Sequence, residues 1–446
     1  MPILKREAKT ILNSLSAGVV PRTGLRHIAV GRLQEIAALK NDLDHNHEGG
    51  ATVRFVIGRF GSGKSFLLQL MRTYALESKF VVADADFSPE RRLFGSGDEA
   101  IATYRELMRN LSTQTRPDGN ALPTIIEKWI SGIQTGLAAE GGLEPTSPQF
   151  INQVKARIIA TLSEMQELVH GFDFGNILAA YYQGYVDNNE ELKASAIRWL
   201  RGEFSTKTEA FTALKVRSII DSDNFYDYLK VLAVFFKKIG YAGLVICLDE
   251  AAYLYKITNS ISRNNNYEAI LSIVNDCLQG KAGHISFLIC GTPEFLEDQR
   301  RGLFSYDALR SRLATNRFLG EGIQDFTGPV IKLSSLTAEE IFVLLQKIRD
   351  IHREQAAVAV TMTDLDIHAY MEETLRRMGA REFTTPRELV REFVNLLSLL
   401  AQYPNKTWHE IVLGLPAPVE TSSDEPKEAP KANDDPLNRF NDFKVN

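Results

Sequence analysis

Cysteine is scarce in this chain: of 446 residues only Cys247, Cys277 and Cys290 are of that type, widely spaced and each set in apolar sequence. That pattern excludes a disulfide framework and a cysteine-based metal site, and it predicts buried thiols in a reducing compartment. Long hydrophobic runs are missing too. No stretch approaches the roughly 18 apolar residues that a membrane span requires, and Met1-Pro2-Ile3-Leu4-Lys5-Arg6 lacks the apolar core of a signal peptide. The expectation is a cytoplasmic protein with no membrane partner. There is no excess of charge of one sign: the formal charge is −5 and the isoelectric point near 6.0. A global nucleic-acid signature is therefore absent, although net charge says little about local basic patches. With 44% hydrophobic and 24% charged residues the composition is that of an ordinary globular protein. The length exceeds what one core usually serves, so two or three domains are expected.

Glycine is placed where it has most effect. Arg54-Phe55-Val56-Ile57 leads into Gly58-Arg59-Phe60-Gly61-Ser62-Gly63-Lys64-Ser65, and Phe66-Leu67-Leu68 follows. Strand, glycine loop and helix thus come in the order of a P-loop. Gly58, Gly61 and Gly63 allow backbone N–H groups, with those of Ser62 and Phe66, to turn toward a β-phosphate at the positive end of the helix dipole. Lys64 is predicted to reach the β- and γ-phosphates of ATP, and Ser65 to ligate Mg²⁺. A chance glycine-rich turn is the competing account, and the flanking strand and helix argue against it.

Upstream, residues 4–16 have helical spacing (Ile11, Leu12, Leu15), and Ile28-Ala29-Val30-Gly31-Arg32 is an apolar run with a Gly-Arg turn before an amphipathic helix to about Leu43. A similar turn precedes the P-loop of AAA+ ATPases of the initiator type, where it packs near the adenine; that likeness implies nucleotide contacts for Gly31 and Arg32. Downstream, Phe80–Phe87 is a buried-strand pattern with Asp84 and Asp86 near its carboxyl end, where ligands gather in open parallel sheets. Solvated strand-end acids are the plainer reading of that pair. From about 97 to 235 the periodicity is mostly helical, with breaks at Arg116–Gly119, Glu140-Gly141-Gly142 and Asp187–Asn189, and Gly202 caps a helix ending near Leu200. The aromatics there, including Tyr181, Tyr182 and Tyr185, read as core.

Gly243–Leu248 followed by Asp249-Glu250 is a Walker B pattern: Asp249 would hold the Mg²⁺ and Glu250 would polarise the attacking water. The distance from Lys64 to Asp249 is longer than two strand-helix units need, and the helical stretch accounts for the excess. Ile285–Gly291 is another buried strand, ending at Thr292. In an AAA+ sheet the strand between the two Walker strands ends in a polar residue that senses the γ-phosphate, and Thr292 fits. Arg310 and Arg312, two positions apart on one helix, point to different faces. Either is a candidate arginine finger acting on a neighbouring subunit, Arg312 first and Arg310 second, with surface arginines as the alternative. Val330–Leu333 reads as the last strand, and helices then run to about 412. Thr384-Thr385-Pro386-Arg387 opens one of them, which puts Arg387 where an AAA+ lid arginine meets the nucleotide, unless it pairs with Glu388. Pro416 to Pro436 is too rich in Pro, Glu, Asp, Lys and Ser to bury a core, and Leu437, Phe440 and Phe443 follow as anchors of a docking peptide or a frayed end.

The expected fold class is therefore α/β: an AAA+-like P-loop NTPase core with a parallel sheet, in parts 1–96 and 236–334, a large helical insertion at 97–235, a helical lid at 335–414 and a disordered tail at 415–446. Beyond the Walker motifs, Val19–Gly24, Ile28–Arg32, Gly58–Leu70, Ala83–Arg92, Thr103–Met108, Arg198–Glu203 and Tyr226–Lys230 resemble the ATP-binding proteins of bacterial BREX phage-defence systems, the BrxC/BrxD family. The likeness spans roughly 8–410, and the length looks like the short BrxD type. It implies an AAA+-like ATPase, a homo-oligomer working beside a helicase or nuclease in defence, with DNA as a further candidate partner. Two functions fit: an ATP-driven switch or loader for DNA or such a partner, or a slow signalling switch acting only through proteins. No winged-helix domain is recognisable after the lid, which keeps the second open.

Overall fold

A computed structural model of the chain describes residues 3–141, 144, 147–163, 170–314, 325–355, 362–378 and 385–413. The tail expected at 415–446, together with Gly142 and Thr384, lies outside them. Five strands form one sheet: β1 (Ala51–Ile57), β2 (Val81–Asp86), β3 (Leu244–Asp249), β4 (Ile285–Gly291) and β5 (Val330–Lys332), in the order β2-β3-β4-β1-β5. β1 runs parallel to β4, β4 to β3 and β3 to β2, with Ile57 facing Gly291 and Asp86 facing Asp249 across the ladder. Parallel strands covered on both faces must be apolar along their whole length. β4 is buried throughout and β3 all but its last residue. The expected position of β4 between the two Walker strands is the observed one.

The polar intruder in β1 is Arg54, buried in the strand. Its guanidinium forks onto Asp42 of the helix Leu33–His47, with Nε and Nη2 at 2.6 and 2.8 Å from the two carboxylate oxygens, and Nη1 donates to the carbonyls of Thr327 and Gly328. With every donor face used, the charge is tolerable in the core.

The chain forms two compact units. One comprises Met1–Leu33, Gly58–Leu70 and Lys332–Asn446. In it the helix Lys5–Ser16 packs against the helices Ala338–Gln355 and Pro386–Gln402 around Ile11, Leu345, Ile348, Phe393 and Leu397. The helices expected to form a lid thus share their core with the amino-terminal helix. No strand forms at Ile28-Ala29-Val30; Leu25–Ile28 is a single helical turn whose Leu25 and Ile28 are buried, because the run has core to enter and no strand to pair with.

The other unit, Gln34–Ile57 and Met71–Ile331, holds the sheet and the helices between Glu99 and Lys238. Those helices are not a separate body: their apolar residues and the sheet's form one continuous core. Trp199 is fully buried, edge-on to Tyr228 at 5.4 Å, and its indole N–H donates to the Ser218 carbonyl at 2.7 Å. Gly202, left-handed at φ 68°, closes the helix Glu190–Leu200 by donating its N–H to Trp199. Tyr181 and Tyr182 are buried as expected, whereas Tyr185 is 49% exposed: one helical turn beyond Tyr181, it has passed the edge of the core. All three cysteines are buried free thiols, and burial pushes Cys277 up to about 12, which keeps it protonated and unreactive. Among the described residues no helix is long and apolar enough to cross a membrane.

Candidate nucleotide site

The glycine loop and the acidic strand ends belong to different units, and each is a local construction. In the first unit the helix begins at Lys64, so the residues before it turn freely. Gly61 and Gly63 adopt φ 76° and 91°, the left-handed region that side chains other than glycine enter at a cost. At Gly63 nothing lies within 4 Å of where a Cβ would be, so the backbone angle alone demands glycine there. At Gly61 the demand is double, since a Cβ would come within 2.5 Å of the Thr385 side chain. The Ser62 hydroxyl oxygen is buried with no hydrogen-bond partner among the described residues. An orphaned buried oxygen inside a ring of glycines at a helix amino end is the arrangement that a phosphate completes. Lys64 Nζ donates to the carbonyls of Gly58 and Arg59 at 2.7 and 2.9 Å, which folds the ammonium over the loop it would share with a phosphate. Phe66 packs against the apolar core of this unit, so its side chain is structural and only its backbone is available to a ligand.

Gly31 and Arg32 both take left-handed backbone, at φ 66° and 61°. The turn aims the Arg32 guanidinium at the loop: Nη2 donates to the Ser62 carbonyl at 3.1 Å and to that of Ser334. Arg32 therefore positions the loop backbone. Arg387 lies in the first turn of the helix Pro386–Gln402, whose N-cap is Thr385, the residue against Gly61. Glu388, the alternative partner for Arg387, has one carboxylate oxygen accepting from the Thr385 backbone and hydroxyl in a capping box. The contact of Thr385 with Gly61 was not legible beforehand, although Thr385-Pro386-Arg387-Glu388 spells the cap.

In the second unit, Asp249 ends β3 and Glu250 follows at φ 58°, a strained angle for a glutamate. The Asp249 carboxylate accepts the Glu250 N–H at 2.8 Å, and Ala251 N–H is tied to the Cys290 carbonyl at 2.9 Å, which fixes the turn. Asp84 is withdrawn from any ligand role by its ion pair with the buried Arg72, at 3.1 Å. Asp86 faces Asp249 across the ladder, and its carboxyl is held above the ordinary range first by partial desolvation, although it still reaches water, and then by the charges of Asp249 and Asp84. A carboxyl raised on folding favours the folded state only while protonated, so its contribution is present below the ordinary aspartate pKa and lost as pH rises through the raised value. Asp86→Asn is accordingly expected to raise the thermal midpoint slightly at neutral pH and to leave it unchanged in acid, which unfolding scans across pH will read.

Thr292 is buried at the end of β4, where its hydroxyl caps the helix Pro293–Glu297 by accepting from Phe295 N–H at 3.4 Å. The two arginines differ in their partners. Arg312 is anchored inside, Nε on Asn275 at 2.7 Å and Nη1 on the Ala308 carbonyl at 2.8 Å. Arg310 sits on the surface, paired with Asp307 at 3.1 Å. Arg310 is the more exposed of the two candidates, and Arg312 the more firmly held within its own chain.

Against this geometry, a family model described as BREX system ATP-binding protein BrxC/D matches residues 3–414. The chain belongs to that family. A comparison with curated proteins finds none that matches. Membership in BrxC/BrxD assigns ATP to the chain and BREX phage defence as its setting. It also accounts for the glycine loop of the first unit. Among the described residues no cluster of three or more His, Cys, Asp or Glu could hold a metal unaided. Mg²⁺ needs no such cluster, since it keeps waters and nucleotide oxygens and takes one or two protein donors. The Ser65 hydroxyl in the first unit is a donor of that kind, and so, in the second unit, is the Asp249 carboxylate.

Proposed function

We propose that this BrxC/BrxD member hydrolyses ATP with Mg²⁺ and serves in anti-phage defence as an oligomeric switch or loader for DNA or for a helicase or nuclease partner. The observation that carries the reading is the buried Ser62 oxygen, without a hydrogen-bond partner among the described residues, within the glycine ring at the start of the Lys64 helix. Lys64 binds the β- and γ-phosphates, and Ser65 and Asp249 supply the protein oxygens for Mg²⁺, which neutralises charge on the phosphates. Glu250 accepts a proton from water as the water oxygen bonds to the γ-phosphorus; the bond to the β–γ bridging oxygen breaks, and ADP leaves. Thr292 orients that water, Gly31, Arg32 and Arg387 hold the nucleotide, and Arg310 contributes a cation to an adjoining copy.

An arginine supplied by another copy makes turnover depend on assembly. ATPase rate per subunit is expected to rise several-fold as protein concentration increases, to fall back in Arg310→Ala, and to respond to added DNA. A rate per subunit that is flat across concentration and indifferent to DNA would overturn the oligomeric loader in favour of the solitary signalling switch.

A further inference from the structure

The carboxyl edge of the parallel sheet carries Asp249 and Asp86. Beyond its amino edge, where Lys79 precedes β2 and Tyr241 precedes β3, the second unit has an open groove of about 750 Å³. One face of the helix Leu122–Glu140 lines it, presenting Trp129 among apolar neighbours. Trp129 and Tyr241 are held from behind, edge-on to Phe235 at 5.2 Å and to Phe236 at 6.4 Å. Four cations from four segments, Lys79, Lys128, Arg157 and Lys238, also line the groove. Among the described lining residues the single acid is Glu140, paired with Arg157 at 2.9 Å. In a chain of net charge −5 this is a local concentration of positive charge.

Gly132 and Gly136 supply an independent observation. They lie one turn apart in the interior of the lining helix, face the groove, and a Cβ on either would meet nothing within 4 Å. Neither adopts a left-handed angle. Glycine inside a helix costs about 1 kcal/mol relative to alanine, and here neither packing nor backbone geometry requires it. A bare helix surface admits close approach by something from outside the chain.

The geometry points to a segment of single-stranded nucleic acid as the occupant. Bases stack on Trp129 and Tyr241, the sugar–phosphate backbone passes over Gly132 and Gly136, and Lys79, Lys128 and Lys238 meet the phosphates. Positive charge around an aromatic floor complements a strand that carries an anion at every residue and a π-face on every base. The assignment rests on the DNA-loading reading for its choice of occupant, and the lining residues supply the site.

The test is fluorescence anisotropy of the full chain with a labelled oligothymidylate of about twelve nucleotides, without ATP. If the three lysines neutralise three phosphates, affinity is expected to fall roughly twentyfold between 50 and 200 mM salt. Lys128→Glu and Gly132→Leu are each expected to weaken binding at least tenfold. The leucine enters open space and is a better helix former, so that variant is expected to melt no lower than the parent, which separates a blocked groove from a damaged fold. Lys64→Ala is expected to bind the oligonucleotide normally, so that a failure of the ATP reading and a failure of this one are distinguishable. Absent binding, unchanged affinity in both groove variants, or equal competition by the mononucleotide would overturn the inference.

Discussion

Lys64→Ala is expected to lose at least a hundredfold in ATP affinity while the protein stays folded. A unit charge about 4 Å from a phosphate charge contributes about 4 kcal/mol at the effective dielectric of a protein surface, and a hundredfold corresponds to about 3 kcal/mol. In the structure the ammonium has two carbonyl acceptors in its own loop, at Gly58 and Arg59. Those oxygens lie at the loop edge, and losing the bonds to them costs far less than the lost phosphate contact, since a typical hydrogen bond contributes about 1 kcal/mol net. Calorimetric titration with ATP, beside a thermal scan without it, separates the two terms. Affinity within threefold of the parent would remove Lys64 from the phosphate site.

Glu250→Gln is expected to lower turnover by a factor of about 10² to 10⁴, the usual worth of a positioned general base, with ATP affinity changed no more than a few-fold. Glutamine keeps the shape and, at φ 58°, the same backbone strain, so folding is expected to be unaffected. The turn is fixed through main-chain groups, by the Glu250 N–H on Asp249 and the Ala251 N–H on Cys290, and the substitution touches neither. Single-turnover phosphate release measures the chemical step apart from binding. Turnover within tenfold of the parent would move the base to another residue, with Asp86, across the ladder from Asp249, the first to test.

What could be read from residues alone was whatever depends on short-range pattern. β3 and β4 are almost continuous apolar runs because both faces of the sheet are covered, and such runs are visible without a fold. The glycine loop was legible because its backbone angles admit few residues. Side-chain partners that the tertiary fold brings together were not. Nothing near Arg54 announces that it is neutralised by Asp42 and two carbonyls at 327 and 328. Nothing near Arg312 shows that Asn275 holds it while Arg310 faces outward. The same holds for the groove, whose cations come from four stretches of chain that periodicity treats separately.

Arg32 donates to carbonyls at 62 and 334, and the unit around it is drawn from the first, an early and the last stretches of the chain. During synthesis, at about 5–20 residues per second, the sheet-bearing unit can fold while the scaffold of the glycine loop is still being translated. A nascent chain halted before the Pro386–Gln402 helix emerges would carry every glycine of the loop and the Arg32 contact, but not Thr385 against Gly61. Ribosome-bound intermediates should therefore acquire nucleotide affinity late and in one step, as the final helices leave the exit tunnel.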